Sequence, residues 1–270
     1  MTPDSPLVDI VLASPNHNER RVPGGPDMLL IHYTGMGTGD DAVRWLCDPV
    51  SAVSCHYLVH EDGRIVQMVP EARRAWHAGV GNWRGQDDIN SRSIGIEIVN
   101  LGHAAGYPDF PEAQVRAVAQ LCADCAARWA IPPERLLGHS DVAPGRKADP
   151  GEKFPWDQLF RAGLGHYVEA APIAGGRFFG LGDRGDPVAA YQGLLAAYGY
   201  GVPIDGTFGE TTRQATIAFQ RHFRRACVDG VADASTVETL HRLLMQLPQS
   251  PLRRPGAVAQ ATADRVHVSA

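Results

Sequence analysis

The chain has few cysteines, no dense run of basic residues and no long apolar stretch. Five cysteines are scattered over 270 residues, and an odd set of this kind does not suggest a disulfide framework. A net charge of -5 with only short arginine clusters gives no indication of nucleic-acid binding. No apolar stretch approaches the ~20 residues needed to span a bilayer. These absences are typical of a soluble globular protein with room for one large and one small domain.

The N-terminus also lacks the pattern of a secretory signal. Residues 1–12 contain two aspartates and no basic residue before a long apolar run. If Met1 is the natural start, we expect a cytoplasmic protein. If the sequence was trimmed, the periplasm or the cell envelope is the alternative.

Cys122 and Cys125 form a C-x-x-C pair, a pattern used in redox chemistry and in zinc binding. The pair belongs to an apolar series with steps of three and four residues, which is typical of one helix face. That series consists of Val115, Val118, Cys122, Cys125 and Trp129. We interpret both cysteines as buried core thiols, because free cysteine packs as a small hydrophobic residue.

Residues 1–162 combine strand and helix patterns without a regular β-α-β alternation. Strands are predicted at 28–33, 55–59, 65–69 and 93–99, and Asp62-Gly63 is a strong hairpin signal between two of them. Helices are predicted at about 40–46 and about 111–130. The order of these elements favours an α/β fold with a mixed central β-sheet covered by helices.

The remainder of the chain predicts a smaller helical unit. Residues 163–180 are rich in Gly, Ala and Pro, lack periodicity and are predicted to be a linker. Residues 181–248 contain three apolar stripes at helical spacing, which predicts a three-helix bundle whose third helix begins at an Asp233 or Ser235 cap. Residues 249–270 contain few large apolar residues and are predicted to be disordered. No internal repeat is visible.

Two histidines and one aspartate are candidate metal ligands. His139 and Asp149 lie in a loop stiffened by Pro and Gly, and such a loop can hold two side chains toward one point. His32 ends a predicted buried strand, where a polar side chain needs a reason. Two histidines, a carboxylate and a water form the open ligand set of a catalytic zinc. Spacing alone does not connect His32 with His139, and a lone histidine is more often structural or exposed.

Glu97 and Lys147 are the other candidates for chemistry. Glu97 lies among isoleucines in a predicted core strand, where burial of an unpaired carboxylate is costly. It is either an edge-strand residue that faces water or a general base whose apolar surroundings raise its pKa. Lys147 is either an ordinary solvated lysine or a cation that stabilises a developing oxyanion.

Five separated segments resemble the zinc amidases of the N-acetylmuramoyl-L-alanine amidase family, which is related to bacteriophage T7 lysozyme and to the peptidoglycan recognition proteins. They are 31–34 (IHYT), 54–59 (SCHYLV), 75–79 (AWHAG), 90–97 (NSRSIGIE) and 138–151 (GHSDVAPGRKADPG). The resemblance is specific, because all five segments agree in order and spacing.

The resemblance implies one zinc ion held by His32, His139 and Asp149. It places the family's catalytic acid/base on Glu97 and its oxyanion-stabilising lysine on Lys147. The implied reaction is hydrolysis of the amide between N-acetylmuramic acid and L-alanine, in peptidoglycan or in anhydro-muropeptides. The implied partner is therefore a peptidoglycan or muropeptide substrate, with no nucleic acid and no membrane span.

Substrate contacts are less defined by the resemblance. Trp76, His77 and Asn90 lie in the matching segments and are candidates for substrate binding, although a structural role fits Trp76 and His77 equally well. Relatives that act on recycled muropeptides bind the carboxylates of the stem peptide through arginines. Arg84 and Arg92 are the candidates for that role here.

The C-terminal part resembles the three-helix peptidoglycan-binding module that is often fused to cell-wall hydrolases. The matching segments are 181–185 (LGDRG), 199–200 (GY), 204–209 (IDGTFG) and 218–220 (AFQ). Glycines in the IDGTFG segment allow a tight connection between helices. The module either binds peptidoglycan or only packs on the larger domain.

Two other functions stay open on the sequence alone. Some relatives bind peptidoglycan without cutting it, but these characteristically lack one zinc ligand, and all three ligand positions are filled here. A zinc peptidase that cuts within the stem peptide would use the same metal chemistry. No sequence feature indicates an oligomeric state.

Overall fold

A computed structural model describes residues 1–176, 178–250 and 252–253 of the chain. Most of the predicted disordered tail, residues 249–270, lies outside the described residues. Within the described part, no helix is both long enough and apolar enough to cross a bilayer.

The described residues form strands and helices in a mixed order. The strands are β1 (Ile10–Val11), β2 (His17–Glu19), β3 (Met28–Tyr33), β4 (Tyr57–Val59), β5 (Ile65–Gln67), β6 (Arg73–Ala75), β7 (Ser93–Ile98) and β8 (Leu136–Gly138). The helices are α1 (Gly39–Cys47), α2 (Ile89–Arg92), α3 (Glu112–Trp129), α4 (His139–Val142), α5 (Trp156–Arg161), α6 (Asp186–Tyr198), α7 (Glu210–Phe223) and α8 (Ala234–Gln246). Each predicted strand and helix is present, with ends that differ by a few residues at most.

Six strands form one mixed sheet in the order β1-β5-β4-β7-β3-β8. The strands β4, β7, β3 and β8 run parallel, whereas β5 pairs antiparallel with β4 through the predicted Asp62-Gly63 hairpin. The strands β2 and β6 form a separate two-stranded ribbon. The predicted α/β class with a mixed central sheet is confirmed.

Helix α3 covers one face of the sheet. Its apolar side packs against Leu29 and Ile31 of β3 and against the isoleucines of β7. Cys122 and Cys125 lie on this side of α3, fully buried and without a disulfide partner. Their predicted role as core thiols is confirmed.

Helices α6, α7 and α8 form the predicted helical unit, and the central residues of its apolar stripes are buried. We call residues 1–162 the α/β unit and residues 181–248 the C-terminal unit. Asp233 caps α8, as predicted, by accepting a hydrogen bond from the Thr236 N–H at 2.8 Å. The predicted linker also packs here, because the Ala171 N–H donates to Thr239 Oγ1 at 3.0 Å and the Ala171 carbonyl accepts from Ser235 Oγ at 2.6 Å.

The two units share a hydrophobic core. Trp83 of the α/β unit is fully buried and meets Tyr198 and Tyr200 edge-on, with ring centroids 6.0 and 5.1 Å away. Met28 and Leu30 of β3 belong to the same core, on the strand face that also carries His32. The C-terminal unit thus packs beneath the part of the sheet that bears the candidate ligands.

Candidate metal centre

Neighbouring parallel strands bring His32 and His139 together. His32 is near the end of β3, and His139 follows directly on β8, which pairs with β3 through the partners Ile31 and Gly138. The Ser140 N–H donates to the Asp149 carbonyl at 2.9 Å and holds the loop that carries Asp149 beside His139. The sheet order therefore connects residues that spacing along the chain could not.

Three ligand atoms converge on one point. His32 Nδ1 lies 2.9 Å from His139 Nδ1 and 3.1 Å from Asp149 Oδ2, and His139 Nδ1 lies 2.9 Å from the same oxygen. All three side chains are buried. Among the described residues, this is the group of histidine, cysteine and acidic side chains that could hold a metal ion.

The hydrogen bond behind His139 fixes which ring nitrogen carries the proton. His139 Nε2 lies 2.9 Å from the Ala78 carbonyl oxygen. A carbonyl oxygen only accepts, so this bond, shorter than the 3.4 Å approach of the Arg146 guanidinium to the same nitrogen, favours the proton on Nε2. In a neutral imidazole the lone pair is then on Nδ1, which points at His32 and Asp149.

A chain of hydrogen bonds fixes His32 in the same way. Ser93 Oγ donates its only proton to the Ile89 carbonyl at 2.6 Å, so it can only accept from His77 Nε2, 3.4 Å away. His77 Nδ1 is then unprotonated and accepts from His32 Nε2 at 3.0 Å. The lone pair of His32 is therefore on Nδ1, again facing the centre.

The pKa values of the ligands favour the forms that bind a metal. Burial, followed by the nearby His139, lowers the pKa of His32 to about 4, so this imidazole is neutral near pH 7. Burial alone would raise the pKa of Asp149, but its close approach to His139 and His32 holds it below its ordinary value, so this side chain is a carboxylate near pH 7. Two lone pairs and a carboxylate oxygen thus face one another without a proton between them. This donor set fits a divalent cation, which would remove their mutual repulsion.

Glu97 lies beside the ligands on the neighbouring strand. It is the register partner of His32 in the β3–β7 pair, so both side chains leave the same face of the sheet. Its Oε2 is buried and has no hydrogen-bond partner among the described residues. Burial, reinforced by the charge of Asp149 and opposed by Lys147, raises the pKa of Glu97 well above its ordinary value. Such a group is suited to proton transfer.

A cleft of about 460 Å³ opens onto these residues. Its wall includes the three ligand residues together with Glu97, Lys147, Trp45, Trp76, His77 and Arg146. Trp76 and His77, two of the candidate substrate contacts, thus lie in the cleft wall. Asn90 is not among the lining residues, and its Oδ1 instead accepts from the N–H groups of His77 and Ala78 at 3.0 and 2.8 Å. Asn90 therefore supports the backbone of the cleft wall.

The two arginine candidates lie elsewhere. Arg84 donates to the Tyr198 carbonyl at 3.2 Å, and Arg92 donates to Asp27 at 3.2 Å, and neither residue lines the cleft. The arginine that does line it is Arg146, which also donates to the Val80 carbonyl at 3.1 Å. Its position next to Lys147 in the ligand loop is the signal in the sequence that could have identified it.

Comparison with known families finds two matching segments. A family described as N-acetylmuramoyl-L-alanine amidase matches residues 22–152. A family described as a peptidoglycan binding domain matches residues 184–240. The first match contains every residue of the candidate metal centre, and the second lies within the C-terminal unit.

Individual relatives match over most of the chain. The N-acetylmuramoyl-L-alanine amidase AmiD of Escherichia coli K12 is 41% identical over 238 residues, which cover 82% of this chain and 83% of that protein. The 1,6-anhydro-N-acetylmuramyl-L-alanine amidase AmpD of the same organism is 35% identical over 160 residues, which cover 53% of this chain and 85% of AmpD. A solved complex of AmiD with anhydro-N-acetylmuramic acid-L-Ala-D-gamma-Glu-L-Lys has a TM-score of 0.71 at 37% identity, and the match covers 88% of this chain and 92% of that chain.

Proposed function

The chain belongs to the N-acetylmuramoyl-L-alanine amidase family, and we propose that it holds one zinc ion with His32, His139 and Asp149. It is a hydrolase of the amide bond between N-acetylmuramic acid and L-alanine. The observation that carries the proposed site is the convergence of two imidazole Nδ1 atoms and one carboxylate oxygen within 2.9–3.1 Å. Zinc suits this set, because it takes nitrogen and oxygen ligands in an open tetrahedral arrangement.

Glu97 is the proposed acid/base. When bound, zinc polarises a carbonyl group and lowers the pKa of a water to about 7. Glu97 takes a proton from the attacking water at its unpartnered Oε2 while the new C–O bond forms. It then gives that proton to the nitrogen of L-alanine as the C–N bond breaks. Its raised pKa makes it a stronger base toward the attacking water than an ordinary glutamate.

Lys147 is the proposed oxyanion contact. It lines the same cleft as Glu97 and stands two residues before Asp149 in the ligand loop. Its ammonium group, held near the scissile carbonyl, would stabilise the negative charge that develops on the oxygen. Trp76 and His77, also in the cleft wall, are the proposed contacts for the remainder of the substrate.

The proposed substrate class is anhydro-muropeptides. The solved AmiD complex contains such a molecule, and the name of AmpD specifies a 1,6-anhydro sugar. The segment that matches a peptidoglycan binding domain supports a second candidate, the polymeric wall. A cytoplasmic location stays a prediction.

The decisive experiment combines product analysis with metal analysis. Purified protein is incubated with a soluble anhydro-muropeptide and, separately, with intact sacculi, and the products are identified by mass spectrometry. We expect a free anhydro-sugar acid and a peptide with a free L-alanine amine, together with about one zinc per chain. Alanine retained on the sugar would indicate a peptidase, and binding without cleavage would indicate a recognition protein.

A substitution at Glu97 tests the proposed acid/base separately. Glu97→Gln keeps the size of the side chain but removes the group that accepts the proton. We expect turnover to fall about 10²–10⁴-fold, the range typical of a general acid/base, while zinc content stays unchanged. Glu61→Gln, at an acidic residue away from the cleft, is the control. Near-normal turnover of Glu97→Gln would mean that another group moves the proton.

A further inference from the structure

Asp141 is a buried carboxylate just behind the proposed zinc ligand His139. It lies in α4, two residues after His139, and has no exposed surface. Its oxygens accept three hydrogen bonds of 2.7 Å, from the Gly138 N–H, the Tyr200 hydroxyl and His222 Nδ1. Two of these three donors come from the C-terminal unit. A carboxylate buried in this way depends on all of its donors, because each lost partner leaves part of the charge unsatisfied.

The donors from the C-terminal unit are themselves held rigidly. The His222 ring is stacked between Trp156 and Phe223, with centroid distances of 3.7 and 3.8 Å. The Tyr200 ring lies edge-on to Trp83 at 5.1 Å. These contacts join α7 and the residues after α6 to the α/β unit, so the positions of both donors are fixed by packing.

Asp141 connects these fixed donors to the backbone that carries the zinc ligands. One of its oxygens takes the N–H of Gly138, the residue immediately before His139. Ser140, the residue after His139, donates its N–H to the carbonyl of Asp149, which is the other ligand in this loop. A displacement of α4 would therefore move His139 and Asp149 relative to His32, which is fixed in the sheet.

We infer that the C-terminal unit is part of the scaffold of the zinc centre, with Tyr200 and His222 as positioning residues that act through Asp141. This inference rests on the proposed function for the identity of the ligands. It assigns to the C-terminal unit a role beyond contact with peptidoglycan. Loss of either donor lowers zinc affinity, although neither residue touches the zinc or the cleft.

Tyr200→Phe tests this role with a matched control in Tyr191→Phe. Both tyrosines are buried to the same extent, and the Tyr191 hydroxyl pairs with Thr216 Oγ1 at 2.9 Å entirely within the C-terminal unit. Both substitutions remove one buried hydrogen bond and are expected to lower the melting temperature, Tyr200→Phe by the larger amount because its hydroxyl donates to a carboxylate. Only Tyr200→Phe should weaken zinc binding, by about 10-fold or more, as support for a metal ligand typically does. It should also lower kcat with little change in KM.

Zinc affinity is measured by chelator competition on the full chain, well below the melting temperature. His222→Leu and His222→Asn form a second pair in case Tyr200→Phe does not fold, because asparagine restores a donor near the position of Nδ1 and leucine does not. Zinc affinities of Tyr200→Phe and His222→Leu equal to that of Tyr191→Phe would overturn the inference. A wild-type chain that binds no zinc would instead refute the proposed function.

Discussion

Two kinds of buried polar cluster in this molecule differ in how their hydrogen bonds are satisfied. In the C-terminal unit, Gln192 and Gln220 each anchor an Asp-Gly turn. Each amide NH₂ donates to an aspartate, a backbone carbonyl and a threonine, and each amide oxygen accepts the N–H groups of the Asp-Gly pair. In the metal centre, by contrast, His32, His139 and Asp149 present three unprotonated atoms to one another.

This difference distinguishes clusters that stabilise the fold from the cluster that is suited to bind a metal ion. A cluster in which donors meet acceptors stabilises the fold by itself. A cluster of lone pairs is held together by the surrounding packing, at a cost that a bound cation would offset. The orphaned Oε2 of Glu97 belongs to the second kind, since no described residue satisfies it. Substitution of a turn anchor should therefore lower stability and leave zinc binding unchanged, whereas substitution of a metal ligand should remove zinc and leave the chain folded.

The largest expected effect comes from the metal centre. His139→Ala removes one of three ligands, so zinc content should fall from about one per chain to near zero and turnover should drop at least ~10³-fold. The far-ultraviolet circular dichroism spectrum should stay that of a folded chain. His17→Ala, at a histidine outside the cluster, is the control and should retain zinc. Stoichiometric zinc in His139→Ala would show that the ligand set is wrong.

A smaller effect on zinc binding is expected from substitution of His77, which forms a hydrogen bond with the ligand His32. His77 accepts from His32 Nε2 and so keeps the lone pair of His32 on Nδ1. His77→Ala should weaken zinc binding about 10–100-fold, the usual cost of losing such support. His77→Asn returns an acceptor oxygen near the position of Nδ1 and should recover part of the loss. Equal affinities for wild type, His77→Ala and His77→Asn, measured by chelator titration, would contradict the hydrogen-bond chain.

Sequence patterns predicted the strands and helices well, but they did not predict the hydrogen bonds that hold the site residues in place. The isoleucines around Glu97 indicated a core strand, and in the structure Glu97 lies on the other face of that strand, beside His32. The acceptor role of Ser93 and the donors that reach Asp141 depend on tertiary approach, which no local pattern contains.

The paired turns of the C-terminal unit show a second limit of sequence analysis. No internal repeat was expected, yet Gln192 and Gln220 anchor their turns with the same set of hydrogen bonds. The first glutamine precedes its aspartate by 13 residues and the second by 9, so the two halves do not align at a fixed period. Resemblance to known modules identified the unit, whereas periodicity found only its helices.

The smallest effect on activity is expected from substitution of Gln192, which anchors a turn. This substitution should lower the stability of the fold and leave catalysis unchanged. Gln192→Leu leaves the N–H groups of Asp205 and Gly206 without their acceptor, and losses of this kind cost about 1–3 kcal/mol each. The free energy of unfolding, measured in urea, should fall by about 2–3 kcal/mol, since the turn can relax toward water. Zinc per folded chain and kcat should match wild type, because this anchor makes no hydrogen bond to Asp141 or its donors. Loss of zinc in Gln192→Leu at temperatures where the chain is folded would show that the turn anchors and the metal centre are coupled. The distinction between a cluster that stabilises the fold and a cluster that binds the metal would then be wrong.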